Sequence, residues 1–95
     1  MEQTIEAGRY INVSSSQVVI YEAGALLGIF VASASGSPSI KLWDNTSAAA
    51  PILVNTFTPV AATWYAIPAQ FKTGLYISIG GTVDCTLILA PAGAV

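Results

Sequence analysis

Hydrophobic and polar residues alternate most cleanly between Gly74 and Leu89, GLYISIGGTVDCTLIL. In an extended chain Leu75, Ile77 and Ile79 share one face, with Tyr76 and Ser78 on the other. Beyond the glycine pair, Val83, Cys85, Leu87 and Leu89 share a face opposite Asp84, Thr86 and Ile88. Two adjacent glycines take positive φ without steric penalty, so Gly80-Gly81 predicts a two-residue hairpin turn between two strands. A hairpin with one wholly apolar face has nothing of its own to bury it against. The rest of the chain must therefore supply more sheet.

The remaining pattern does so in short pieces. RYINVS (9–14) and QVVIY (17–21) are rich in β-branched and aromatic residues and flank the polar Ser14-Ser15-Ser16 turn. ALLGIFVASA (25–34) is almost continuously apolar. It predicts a strand covered on both faces, in mid-sheet or at an interface. Its Ala and Leu content leaves a helix as the competitor, against which Gly28 and Ile29-Phe30-Val31 argue. Ser35-Gly36-Ser37-Pro38 reads as a loop. In SIKLW (39–43), Ile40 and Leu42 fall on one side, Lys41 and Trp43 on the other, and Asp44-Asn45-Thr46-Ser47 predicts a turn. ILVNTFT (52–58) and TWYAI (63–67) complete the set. Pro38, Pro51, Pro59, Pro68 and Pro91 are all expected at strand ends, where a missing donor does least harm.

The fold class this predicts is all-β: one β-sandwich or barrel of about eight short antiparallel strands. Jelly-roll-like and immunoglobulin-like topologies both remain open. Residues 1–8 are expected to form an N-terminal arm or edge segment, 9–90 the domain and 91–95 a C-terminal tail.

Composition changes this picture in one respect. Hydrophobic residues make up 54% of the 95, yet Asp, Glu, Lys and Arg together only 8%, where a soluble domain carries roughly 25%. A surface so poor in charge, with a net charge of −2, favours association. The expected state is a homo-oligomer whose surface is largely used in contacts. Nucleic acid is not an expected partner, because Arg9, Lys41 and Lys72 are scattered rather than clustered. No membrane partner is expected either. The acidic start MEQTIE is the reverse of a secretory signal, and the apolar run 23–34 is too short to span a bilayer.

Candidate chemistry is sparse. The chain has no histidine, which removes Ser-His and Cys-His nucleophile pairs and most zinc and copper sites. Cys85, the single cysteine, is expected to be a buried structural thiol. The carboxylates Glu2, Glu6, Glu22, Asp44 and Asp84 show no spacing that sets two of them across a cleft. Asp44 reads as a turn former and Asp84 as an outward strand residue. Gly80-Gly81 precedes a strand rather than a helix, so no phosphate loop is expected. No enzymatic activity, cofactor or metal is therefore expected. Trp43, Trp64, Tyr65, Tyr10, Tyr21 and Tyr76 offer large rigid contact area. The alternatives for them are core packing, subunit contact and a carbohydrate or peptide platform.

Several segments together carry a resemblance. They are GALLGIFVASA, then SIKLWDNTS (39–47), APILVNTFT (50–58), Tyr65, FKTGLYIS (71–78) and TVDCTLIL (82–89). In this order they resemble small all-β virion structural proteins of tailed bacteriophages and prophages, over about residues 24 to 90. The resemblance implies a structural component of the particle. The type it points to is a capsid decoration, or cement, protein that binds and stabilises the major capsid lattice, often as a trimer. It implies a virion location, with the major capsid protein and further copies of the chain as partners. Trp43, Trp64, Tyr65 and Tyr76 are the expected anchors at the subunit or capsid interface. A receptor- or glycan-binding module of a fibre or baseplate is the alternative, as is a head–tail or tail subunit.

Overall fold

The computed structural model describes residues 9–90, so the expected arm 1–8 and tail 91–95 lie outside the described residues. The described chain forms six strands: β1 (Arg9–Val13), β2 (Gln17–Ile20), β3 (Gly24–Trp43), β4 (Ile52–Phe57), β5 (Thr63–Phe71) and β6 (Leu75–Leu89). All ladders are antiparallel and belong to one sheet. The all-β expectation holds.

Two long strands organise it. β3 and β6, of 20 and 15 residues, pair from Leu26↔Leu89 to Trp43↔Tyr76. On the far edge of β6, β1 takes the C-terminal half and β2 the N-terminal half. On the far edge of β3, β5 takes the N-terminal half and β4 the C-terminal half. A first half-sheet thus runs β1–β6–β3–β5 and a second runs β2–β6–β3–β4. The short strands expected from the sequence are present as ladder segments, but four of them are halves of β3 and β6.

Gly80-Gly81 is accordingly not a hairpin turn. β6 runs straight through it, because both halves of β6 find their partner in β3 rather than in each other. A type I′ turn needs positive φ at both central residues, and of the pair only Gly81 has it (φ 70). Opposite, the expected Ser35–Pro38 loop is a bulge within β3. Ser35 pairs with Thr82 and Ser39 with Gly80, so Gly36 (φ 67) and Ser37 (φ 58) stand out of register. A Cβ at Gly81 would lie 2.5 Å from the Gly36 carbonyl oxygen and 2.9 Å from those of Ser35 and Ser37. Glycine is required there for close backbone approach.

Bulges bend strands, and burial shows the result. Leu26, Ile29, Val31, Ile40, Leu42, Leu75, Ile77 and Leu87 expose nothing. Side chains on one face of a flat single-layer sheet would remain wet. The inner faces of the two halves therefore cover each other, in the manner of a small sandwich or barrel. Those residues form one cluster with Val13, Phe71, Val83, Cys85 and Leu89, and each fully buried Leu or Ile contributes about 1.5–3 kcal/mol.

Two prolines depart from expectation. Pro38 lies within β3, at the bulge, and Pro68 lies within β5 rather than ending it. β5 is an edge strand, where a residue without an N–H breaks no ladder if it faces away from β3. The β3–β5 register shifts at this point, with Leu26 opposite Ala69 and Gly28 opposite Ala66.

Candidate functional site

The inward-facing side chains of each half are spent on the core, which leaves the two outer faces, the strand edges and turn residues such as Tyr21 and Val60 for contact. Among the described residues there is no pocket.

On the first half, register builds two rows across the strands. Trp64 lies opposite Phe30, Phe30 opposite Thr86, and Thr86 opposite Asn12. In the neighbouring row Ala66 lies opposite Gly28, Gly28 opposite Ile88, and Ile88 opposite Tyr10. Leu27, skipped by the register shift between Leu26 and Gly28, also turns outward. Tyr10 is 71% exposed, Trp64 48%, Phe30 41% and Leu27 40%. Neither row holds an ionisable carboxylate, ammonium or guanidinium. Asp84, opposite Ser33, sits beyond the Thr86 row. The one polar pair satisfies itself, because the Thr86 hydroxyl donates to the Asn12 side-chain carbonyl.

Gly28 lets Trp64 lie on this face. A Cβ at Gly28 would come within 2.5 Å of Cζ2 and Cη2 of the indole, and of the Tyr65 carbonyl oxygen. The ring occupies the hollow that a side chain would otherwise fill, flat against the sheet. Of the strand expected over 25–34, in mid-sheet or at an interface, the single chain covers one face. The strand is central and paired on both edges, but Leu27 and Phe30 are bare in the single chain.

The outer face of the second half is also aromatic, with Trp43 opposite Tyr76 and flanked by Ile52 and Val18. Here the aromatic groups have polar company. Trp43 Nε1–H donates to Ser78 Oγ at 3.0 Å, and Lys41 Nζ stands 4.3 Å from the Trp43 ring centroid. The ammonium is drawn to the negative face of the indole.

The four expected anchors thus do not form one site. Trp43 and Tyr76 share the second outer face, and Trp64 lies on the first. Tyr65 turns inward opposite Ile29 and packs against the core. Its ring tilts at 57° to Phe57, 5.2 Å between centroids, and its hydroxyl accepts the Val60 N–H at 3.0 Å. Tyr65 is committed within the chain. The sequence reading did not single out Phe30, Leu27 or Ile88. Their type was visible, but only register sets Phe30 beside Trp64.

The two candidate ionisable groups have structural roles. The Asp44 carboxylate accepts the N–H groups of Lys72 (2.9 and 3.0 Å) and Thr73 (2.9 Å), which ties the end of β3 to the β5–β6 connection. Partial burial pushes its pKa up, but the Thr73, Lys72 and Gly74 N–H groups and the Lys72 charge outweigh this and hold it below the ordinary aspartate value. The expected local turn chemistry passes to Asn45. Its side chain accepts the Thr46 N–H at 2.7 Å and donates to the Ala50 carbonyl at 3.0 Å. Cys85 is buried, and its thiol lies 3.5 Å from the Val13 carbonyl oxygen. Burial, with the Asp84 charge second, pushes the thiol up to about 11, so it is not a nucleophile near neutral pH. Asp84 faces outward as expected.

Compared with known proteins, the chain matches no family model, no curated protein and no solved structure.

Proposed function

We propose that the chain is a structural subunit of a tailed-phage virion, a capsid decoration protein that binds and stabilises the major capsid lattice from the particle surface. The observation that carries this reading is the outer face of the first half, where Trp64, Phe30, Leu27 and Tyr10 stand exposed around two rows free of charged side chains. Large exposed apolar side chains grouped on one face mark contact with other protein, a further subunit or the lattice itself. The order of segments from GALLGIFVASA to TVDCTLIL supports the virion assignment by resemblance, and the low charge of the chain supports a surface used in contacts.

The function is binding, not catalysis, and it needs no cofactor. A protein with higher affinity for the expanded than for the unexpanded lattice shifts the particle toward the expanded state by mass action. The stabilisation grows as the logarithm of free concentration over Kd. It acts by differential affinity alone, since a ligand with equal affinity for both states shifts nothing.

The test is co-sedimentation of purified protein with expanded and unexpanded heads of a tailed phage. Saturable pelleting with expanded heads alone is the expected result. Failure to pellet with either overturns the reading. Binding to a glycan array or to host cell envelopes instead would assign the face to receptor recognition.

A further inference from the structure

The geometry points to a second copy of this chain as the occupant of the Trp64 face, docked sheet on sheet about a two-fold axis that runs along the strands. The inference rests on the association expected of so weakly charged a surface, not on the virion assignment, and it makes this face a subunit contact, which leaves lattice binding to the rest of the surface.

The relief of the face carries it. In the row Trp64–Phe30–Thr86–Asn12 the bulk stands on the β5 side and the small polar residues on the β1 side. In the row Ala66–Gly28–Ile88–Tyr10 the order is reversed. A two-fold axis along the strands exchanges the β5 and β1 sides. Each row then stacks on its own reverse, with large groups over small. Phe30 comes over the partner's Thr86, Tyr10 over the partner's Ala66, and the Trp64 indole, lying above Gly28, receives the partner's Ile88. A two-fold axis across the strands would instead send Phe30 into the hollow over Gly28, which Trp64 already fills.

Charge and area agree with this choice. The two rows carry no charged side chain, so stacking them apposes no like charges, while Asp84, one row further along β6 and exposed, approaches its symmetry copy at the solvated margin of the contact. Four large side chains at 40–71% exposure, with their small neighbours, present on the order of 600 Å² per copy, or about 1,200 Å² in all. That reaches the lower bound of specific protein interfaces. The stacked sheets would sit about 10 Å apart, as in any sandwich.

The test combines mass with cross-linking. Sedimentation equilibrium of the full chain across a dilution series should give a mass of two chains at micromolar concentration. Phe30→Lys, at a solvent-exposed position, should weaken association at least thirtyfold, while circular dichroism shows the fold retained. Thr86→Cys provides a measurement that needs no disruptive charge. With Cys85 buried, the new thiol is the reactive one, and a bis-maleimide spanning about 10 Å should link two copies. The same change at Ser78, on the second outer face, should leave them unlinked.

A monomer at all concentrations overturns the inference, as does a mass of three chains. So does a dimer indifferent to Phe30→Lys and linked through position 78. A wild-type protein that dimerises yet ignores phage heads leaves this inference standing and removes the virion reading. One that pellets with heads yet sediments as a monomer does the reverse.

Discussion

The two outer faces of the sheet hold similar residues in different circumstances. Each has a tryptophan set beside another aromatic ring across a ladder, Trp64 with Phe30 and Trp43 with Tyr76. Trp43 has its indole N–H bonded to Ser78 and an ammonium over its ring. Its polar and cationic partners come from the same chain, although Ile52 beside it stays 46% exposed. Around Trp64 the register brings apolar, small or self-satisfied groups, and nearly half of the indole remains exposed. An aromatic residue on a strand is therefore no guide to interface by itself. Its cross-strand neighbours decide whether it is already served.

The largest effect is expected from removing the bend that creates two faces. Gly81→Val sets a β-branched side chain at φ 70 against three carbonyl oxygens. It should destabilise the fold by about 3 kcal/mol or more, read as the shift of a urea unfolding midpoint. Unchanged stability would mean that β3 and β6 tolerate another path through their centres.

The two tryptophans should differ in what their removal costs. Trp43→Ala should lower stability by about 2 kcal/mol, through lost packing and an unpartnered Ser78. Trp64→Ala should change the stability of the isolated chain by less than about 1 kcal/mol, measured at dilutions where the chain is monomeric. Equal effects would mean that Trp64 is served within the chain as fully as Trp43.

A smaller effect belongs to the strap at the end of β3. Because Asp44 is held below the ordinary aspartate value, it stabilises the fold above its unfolded pKa. That contribution is lost as pH falls through the folded one. Asp44→Asn should lower stability at pH 7 by about 1 kcal/mol and flatten the acid limb of a stability–pH profile below about pH 4. A parallel acid limb in the variant would assign the acid sensitivity elsewhere. The smallest change is Lys41→Gln. It should cost about 0.5 kcal/mol through the lost cation–π contact and leave self-association unaltered.

Much of this architecture is legible in the alternation of residue types. Leu75, Ile77, Val83, Cys85, Leu87 and Leu89 point inward as their period of two predicts, and Ile40 and Leu42 oppose Lys41 and Trp43. The misreadings share a cause. Gly80-Gly81, Ser35–Pro38 and Pro68 are local breakers. Local rules make each of them an end, because they describe what a residue permits, not what a partner strand supplies. With β3 beside it, Gly81 becomes the point where a bulged backbone closes in. On an open edge, Pro68 interrupts nothing.

By itself the amino-acid sequence determined an all-β chain, which side of each strand is apolar, a scarcity of charge and a buried thiol. Those follow from short-range periodicity and side-chain chemistry. Only the tertiary structure decided that two pairs of segments are single long strands, that Asp44 reaches across to Lys72 and Thr73, and that Tyr65 turns inward while Trp64 meets Phe30 in the open. Each of these depends on pairing register between residues far apart in the chain. A shift of one residue would turn every side chain of a strand to the opposite face.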